Sequence, residues 1–202
     1  MSTAATHAAP LLDVSKVSRV RKPAVEVDVV TDRVRKEARR DAERLLKATM
    51  RLPVPTYPSD IAMQLGIKVV ELKLRNEDAL GVLLVEPEGD TRILLNKHYG
   101  LLRCRFTCAL ELGYFARLSP RQQAYERADL RSLRAGPRGE DPDERYADEF
   151  AECLLMPEND VRAMFELGLS DLEMALKFWV PRDVVWSRLN SLGLSTDVER
   201  AA

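Results

Sequence analysis

The run R-F-T-C-A-L-E-L-G-Y, residues 105–114, places a carboxylate at Glu111 between Leu110 and Tyr114. On a helix, positions 110 and 114 lie one turn apart on the same face. With histidine at both, the segment would read H-E-x-x-H. Two imidazoles would then face one zinc ion, and the glutamate would act as general base on the metal-bound water. Leucine has no lone pair to give a metal, and tyrosine, with an ordinary pKa near ~10, is a poor ligand at neutral pH. Taken alone, L-E-L-G-Y fits any amphipathic helix. The chain holds two histidines, His7 and His98, which restricts every metal or acid–base scheme. His98 precedes Leu110 by about three turns and falls before the helix. Cys104 and Cys108 have i, i+4 spacing, and thiolates bind zinc. However, Cys108 and Leu110 point about 200° apart on a helix, so the cysteine pair faces away from the ligand positions. Core thiols are the ordinary reading.

The elements that must position these residues follow from pattern and punctuation. Residues 1–27 read as a disordered tail. A helix is expected over residues 30–50, capped by Thr31, with Val34, Ala38, Leu45 and Leu46 as its apolar stripe. Pro53, Pro55 and Pro58 then break the chain. A short helix capped by Ser59 stops at Gly66. Three Val/Ile/Leu-rich runs, residues 67–74, 80–86 and 91–96, read as strands separated by turn residues. Residues 101–117 are helical. Residues 119–142 form a long connection that is partly helical around 121–133. A helix over 143–157 ends at Pro157, and short helices are expected near 158–167, 171–179 and 182–192. This order gives an α+β fold: a small antiparallel sheet of about three strands packed against helices, then a C-terminal helical, helix-turn-helix-like segment.

Two motifs in this frame carry a resemblance. Residues 105–114 match R-F-T-x-A-H-E-L-G-H everywhere except at the two histidines. Residues 144–157, E-R-Y-A-D-E-F-A-E-C-L-L-M-P, match E-x-x-A-N-x-F-A-x-x-L-L-M-P with Asp148 in place of Asn. The chain thereby resembles the ImmA/IrrE metallopeptidases, zinc proteases of bacteria, mobile elements and prophages that cleave or inactivate helix-turn-helix repressors. The resemblance covers roughly residues 52–160 and includes the strand ending at Asn96. It implies a zincin-like domain over residues 28–160, followed by a helical segment over 161–202. Carried over by position, Glu111 matches the general base and Glu144 the third zinc ligand, while Leu110 and Tyr114 occupy the two histidine positions. Arg105, Phe106, Thr107, Asp148, Phe150 and Pro157 are the supporting motif residues. One carboxylate is too few for a zinc site, so no metal is expected. Without a cation between them, Glu111 and Glu144 would repel, which favours a shared proton or a hydrogen bond from Tyr114 or Arg105.

Composition limits the remaining choices. The chain has 202 residues, 46% hydrophobic and 31% charged, enough for one domain with a real core. A net charge of −1 gives no general pull toward nucleic acid or an anionic membrane. Three cysteines in apolar stretches suggest reduced thiols, and no apolar run approaches the ~18 residues of a membrane span, so a cytoplasmic location is expected. Residues 170–202 carry four basic and five acidic residues, a weak balance for a DNA-reading segment. Trp179 and Trp186 look like packing residues. Residues 19–51 carry eleven basic and six acidic residues, which more often marks a solvated helix face than a binding one.

The expected function is a non-hydrolytic regulator that binds a protein partner, such as a repressor-type transcription regulator, with no direct nucleic-acid or membrane contact. The alternatives are an active zinc metallo-endopeptidase with atypical ligands, and a DNA-binding regulator using the C-terminal helices.

Overall fold

Helix α3, Gly100–Ala116, is buried along its whole middle, from Cys104 to Tyr114. A helix that is apolar nearly all round must lie inside the molecule, and the other elements are arranged around it. A computed structural model of the chain describes residues 27–49, 54–86, 90–118, 125–129 and 141–194. The expected tail over residues 1–27 lies outside these, apart from Val27.

The elements in order are α1 Val27–Ala48, α2 Pro58–Gln64, β1 Lys68–Leu72, β2 Gly81–Val85, β3 Thr91–Asn96, α3, β4 Tyr125–Asp129, α4 Pro142–Leu155, α5 Glu158–Glu166, α6 Asp171–Phe178 and α7 Arg182–Ser191. The class is α+β, as the pattern implies. The sheet is mixed rather than wholly antiparallel, and a fourth strand joins the three expected, in the order β1-β3-β2-β4. β2 and β3 form an antiparallel hairpin, whereas β1 pairs with β3 in parallel. The turn at Asn76 does reverse the chain: Asp78 N donates to Asn76 Oδ1 at 3.1 Å. β1 and β2 therefore run in opposite directions, but β3 lies between them. The fourth strand, β4, falls within the stretch expected to be helical around 121–133.

Two expected caps are displaced. α1 begins at Val27, so Thr31 lies inside it, and α2 begins at Pro58 with Tyr57 as its N-cap, so Ser59 lies within the first turn. Proline is favoured at a first helical position because its missing N–H has no partner there.

Among the described residues the main apolar core joins α1, α2, the inner face of the sheet, α3, α4 and the C-terminal helices, and a small second cluster of Val82 and Leu84 lies apart from it. The main core runs through Val34, Ala38, Ile61, Leu83, Leu110, Phe150, Met174, Phe178 and Val185. α1 packs along α4 and α4 crosses α3. At that crossing Gly113 meets Ala147. A Cβ on Gly113 would lie 2.9 Å from Ala147 Cα and 3.2 Å from Phe150 Cδ1. No helix among the described residues is long and apolar enough to cross a membrane.

Candidate functional site

Asn96 caps the short 3-10 turn Lys97–Tyr99 that leads from β3 into α3. Its buried side chain accepts from His98 N at 3.2 Å and donates to Ala79 O at 2.9 Å, while its carbonyl accepts from Cys104 Sγ at 3.4 Å. One residue thus ties the end of β3, the approach to β2 and the first turns of α3. Gly100 begins α3 with φ +74°, a left-handed value that favours glycine.

From this start α3 delivers the predicted positions inward. Leu110 and Glu111 are fully buried, and Tyr114 is nearly so. Glu111 lies toward the sheet: a Cβ built on Gly81 of β2 would stand 3.4 Å from Glu111 Oε1 and 2.6 Å from Thr107 Cγ2. The close Gly113–Ala147 contact brings the first two turns of α4, with half-buried Glu144 and Asp148, to the stretch of α3 that carries these residues. Phe106, Thr107 and Phe150 are buried core residues. Pro157 ends α4 and opens α5, accepting from the N–H groups of Asp160 and Val161, both at 3.0 Å.

Arg105 does not turn toward the carboxylates. Its guanidinium donates to Thr56 O at 2.7 Å and to Trp179 O at 3.1 Å, and it lies between the rings of Tyr57 and Trp179 at 5.0 and 5.3 Å. This clamp joins the loop before α2 to the α6–α7 turn. There Trp179 holds the left-handed conformation at φ 58°, rare for a residue with a Cβ. Burial depresses the Arg105 pKa, an effect only partly opposed by nearby Tyr57, Cys108 and Asp60. Trp179 therefore packs, but it remains 40% exposed, and Trp186 is 49% exposed rather than buried.

The donor set does not fit zinc. Of the three ligand positions implied by the motif, Leu110 offers no donor atom and Tyr114 offers a phenol, which leaves Glu144 alone as an ordinary ligand. Among the described residues no group of three or more His, Cys, Asp or Glu is arranged to hold a metal ion. The thiols are buried core groups, and burial raises all three, Cys108 and Cys153 to about 12, which disfavours the thiolate form. His98 sits exposed on the turn before α3.

A second polar cluster escaped the sequence reading because its acids stand at variable positions of the α4 motif. Glu149 Oε1 accepts from Arg39 Nε at 2.7 Å and from Arg188 Nη1 at 3.2 Å. Ser187 Oγ donates to Glu152 Oε1 at 2.7 Å. These contacts fasten α1 and α7 to α4. The available signal was a pair of glutamates set among apolar residues in E-F-A-E-C-L-L, where burial demands a partner.

Burial, with the like charge of Glu149 nearby, raises the Glu152 carboxyl from 4.5 to about 7, while Ser187 and Arg188 oppose the shift. The folded state thus binds this proton more tightly than the unfolded chain. Its stabilisation is complete below about pH 4.5 and is lost as pH rises to about 7. A Glu152→Gln variant removes this loss. Relative to wild type it should gain stability between pH 4.5 and 7, on the order of 2–3 kcal/mol, read from denaturant midpoints across that range. Parallel pH profiles for the two proteins would show that Glu152 titrates normally.

The sequence profile of the IrrE N-terminal-like domain matches residues 62–190, from α2 to α7, and so extends past the two motifs into the C-terminal helices. No curated protein matches the chain. With well over half of its length matched, and with both motifs placed against each other on α3 and α4, the chain belongs to the IrrE N-terminal-like domain family.

Proposed function

We propose that this domain keeps the architecture of a zinc peptidase but acts by binding rather than hydrolysis, holding a protein partner of the repressor type. The observation that carries this reading is the pair Leu110 and Tyr114, both buried in the core of α3 where the metal ligands of the resembled proteases stand. Glu111 keeps the general-base position, but positions 110 and 114 supply no imidazole to hold the Lewis acid that would activate its water.

Elemental analysis tests this directly. The purified chain should contain far less than one zinc, whereas a Leu110→His/Tyr114→His variant, supplying two imidazoles beside Glu144, should take up about one zinc per chain. Stoichiometric zinc in the unaltered chain would overturn the reading.

A further inference from the structure

α1 packs on the domain through the face that carries Val34, Ala38, Ala42 and Leu46, all buried. At about 100° per residue, Arg33, Lys36, Arg40, Arg44 and Lys47 fall within an arc of about 80°, centred on the opposite side of the helix. Each of them is exposed. With a rise of about 1.5 Å per residue they form a basic stripe about 21 Å long.

The carboxylates of α1 do not cancel this stripe. Glu37 accepts from Arg117 and Asp41 from Tyr146, so both lean toward α3 and α4. Asp32 pairs with Lys36 at 2.8 Å and Asp41 also pairs with Arg44, while Arg35 and Arg39 serve Glu149. Glu43 is exposed, about 60° to one side of the stripe. Among the described residues no carboxylate pairs with Arg33, Arg40 or Lys47, which recur along the stripe at every seventh position. Arg40 lies back over the preceding turn, its Nε donating to Lys36 O at 3.4 Å. A hollow of about 650 Å³ opens beside this end of the stripe, lined by Asp32, Arg33, Lys36, Arg39 and Arg40.

The make-up of this face selects its ligand. A helix that lies on a membrane inserts an apolar face, and α1 buries its own in the core. A protein interface is centred on aromatic and aliphatic anchors, and no large apolar side chain is exposed among the described residues of α1. Single-stranded nucleic acid is held by stacking on aromatic rings, and α1 has none. A duplex needs only the cations, since it presents a phosphate about every 1.7 Å, or about twelve along the stripe. The net charge of −1 does not oppose it, because exposed charges more than about 10 Å away are screened.

We propose that the exposed face of α1 binds the phosphate backbone of duplex DNA without regard to sequence. Arg33, Arg40 and Lys47 make the principal contacts, and Lys36 and Arg44 join when phosphate displaces their carboxylates from these weak surface pairs. The choice of DNA over duplex RNA rests on the reading of the partner as repressor-type, which would itself sit on DNA; the choice of surface does not.

The probe is a labelled random-sequence DNA duplex of about 20 base pairs, titrated with the full-length chain. With about three to five phosphates neutralised, affinity should fall about 40- to 500-fold between ~50 and ~200 mM salt. Arg33→Gln/Arg40→Gln/Lys47→Gln should bind at least about tenfold more weakly at ~50 mM salt and lower the salt slope by about 3. Arg33→Lys/Arg40→Lys keeps the charges and should bind within about twofold of the unaltered chain. Arg75→Gln/Lys97→Gln/Lys177→Gln removes the same charge from exposed positions elsewhere and should also stay within about twofold. An unaltered chain that ignores the duplex, or that binds it without regard to salt, overturns the proposal and needs no variant. Equal losses in the two triple variants also overturn it, as does tighter binding to a single strand, to polyglutamate or to vesicles containing phosphatidylserine. Duplex RNA bound about tenfold more tightly than DNA overturns the choice of nucleic acid. None of these readouts needs zinc or a protein partner, so zinc in the unaltered chain would defeat the non-hydrolytic reading and leave this result standing, and the reverse also holds.

Discussion

Gly113→Ala should destabilise the domain by about 2 kcal/mol, although the same change in an isolated helix would stabilise it by about 1 kcal/mol. The two effects oppose each other, and distance decides between them. The added methyl would lie 2.9 Å from Ala147 Cα and 3.3 Å from Ala147 O. Both are backbone atoms, so no rotamer change relieves the contact. α3 and α4 must move apart by several tenths of an ångström along a crossing where Phe150 also presses at 3.2 Å. Protein interiors are close-packed, and because backbone atoms cannot give way the overpacking here lies at the upper end of the typical ~1–3 kcal/mol, which leaves about 2 kcal/mol after the propensity gain. In a chain of this size the melting temperature should fall by about 4–8 °C. Gly113→Val should do worse, since a β-branched residue regains less helix propensity and adds bulk. A Gly113→Ala variant that melts higher than wild type would mean that α3 and α4 are not held at this separation. The position also ties packing to the candidate site, because this contact is what brings Glu144 beside the stretch carrying Leu110, Glu111 and Tyr114.

Much of this arrangement is legible in the sequence, and what is not has identifiable physical causes. The β2 and β3 runs show because their Val, Ile and Leu content is bounded by turn residues, and β3 is found at 91–96 as expected. Their partner order does not show. The Asx turn at Asn76 dictates a reversal, but local turn chemistry cannot say whether the next strand pairs with the last or leaves a place for a third. β4 is hidden because Y-E-R-A-D has no strand signature of its own and owes its form to the edge of β2, a tertiary effect that overrides propensity. α3 and its residues were readable because the motif spacing matches the helical repeat. The role of Arg105 was not: a guanidinium on the same motif as Glu111 suggests a carboxylate partner, yet its partners, Thr56 O and Trp179 O, lie 49 and 74 residues away along the chain. The positive φ of Trp179 was equally hidden, since no residue type other than glycine announces it.

Breaking the ion pair between Glu149 and Arg188 should have the largest effect of any single charge change here. The two side chains are only 4% and 2% exposed. Arg188 also donates from Nε to Met156 O at 3.2 Å, so it is held in place whether or not Glu149 is charged. Glu149→Gln would leave this buried cation without its full counter-charge, a situation that costs about 3–5 kcal/mol in comparable pairs. Arg39 shares the same carboxylate oxygen but is 33% exposed and can turn to water. Arg35, at 3.8 Å and 50% exposed, adds little, and Arg35→Ala should shift stability by less than about 1 kcal/mol. The loss in Glu149→Gln should also depend on pH. Glu152 lies in the same cluster, and the charge of Glu149 is one cause of its raised pKa. With that charge gone, Glu152 ionises more readily and supplies Arg188 with a second-best partner. The penalty should therefore be greatest at pH 5, where Glu152 is protonated, and should shrink at pH 8. A Glu149→Leu/Arg188→Met variant removes both buried charges and should recover most of the lost stability, because well-packed apolar side chains replace such pairs at little net cost. Denaturant midpoints of wild type, Glu149→Gln and the double variant at the two pH values would decide the matter. A single variant as stable as wild type at pH 5 would show that Arg188 is solvated, and that α7 is held to α4 by apolar packing alone.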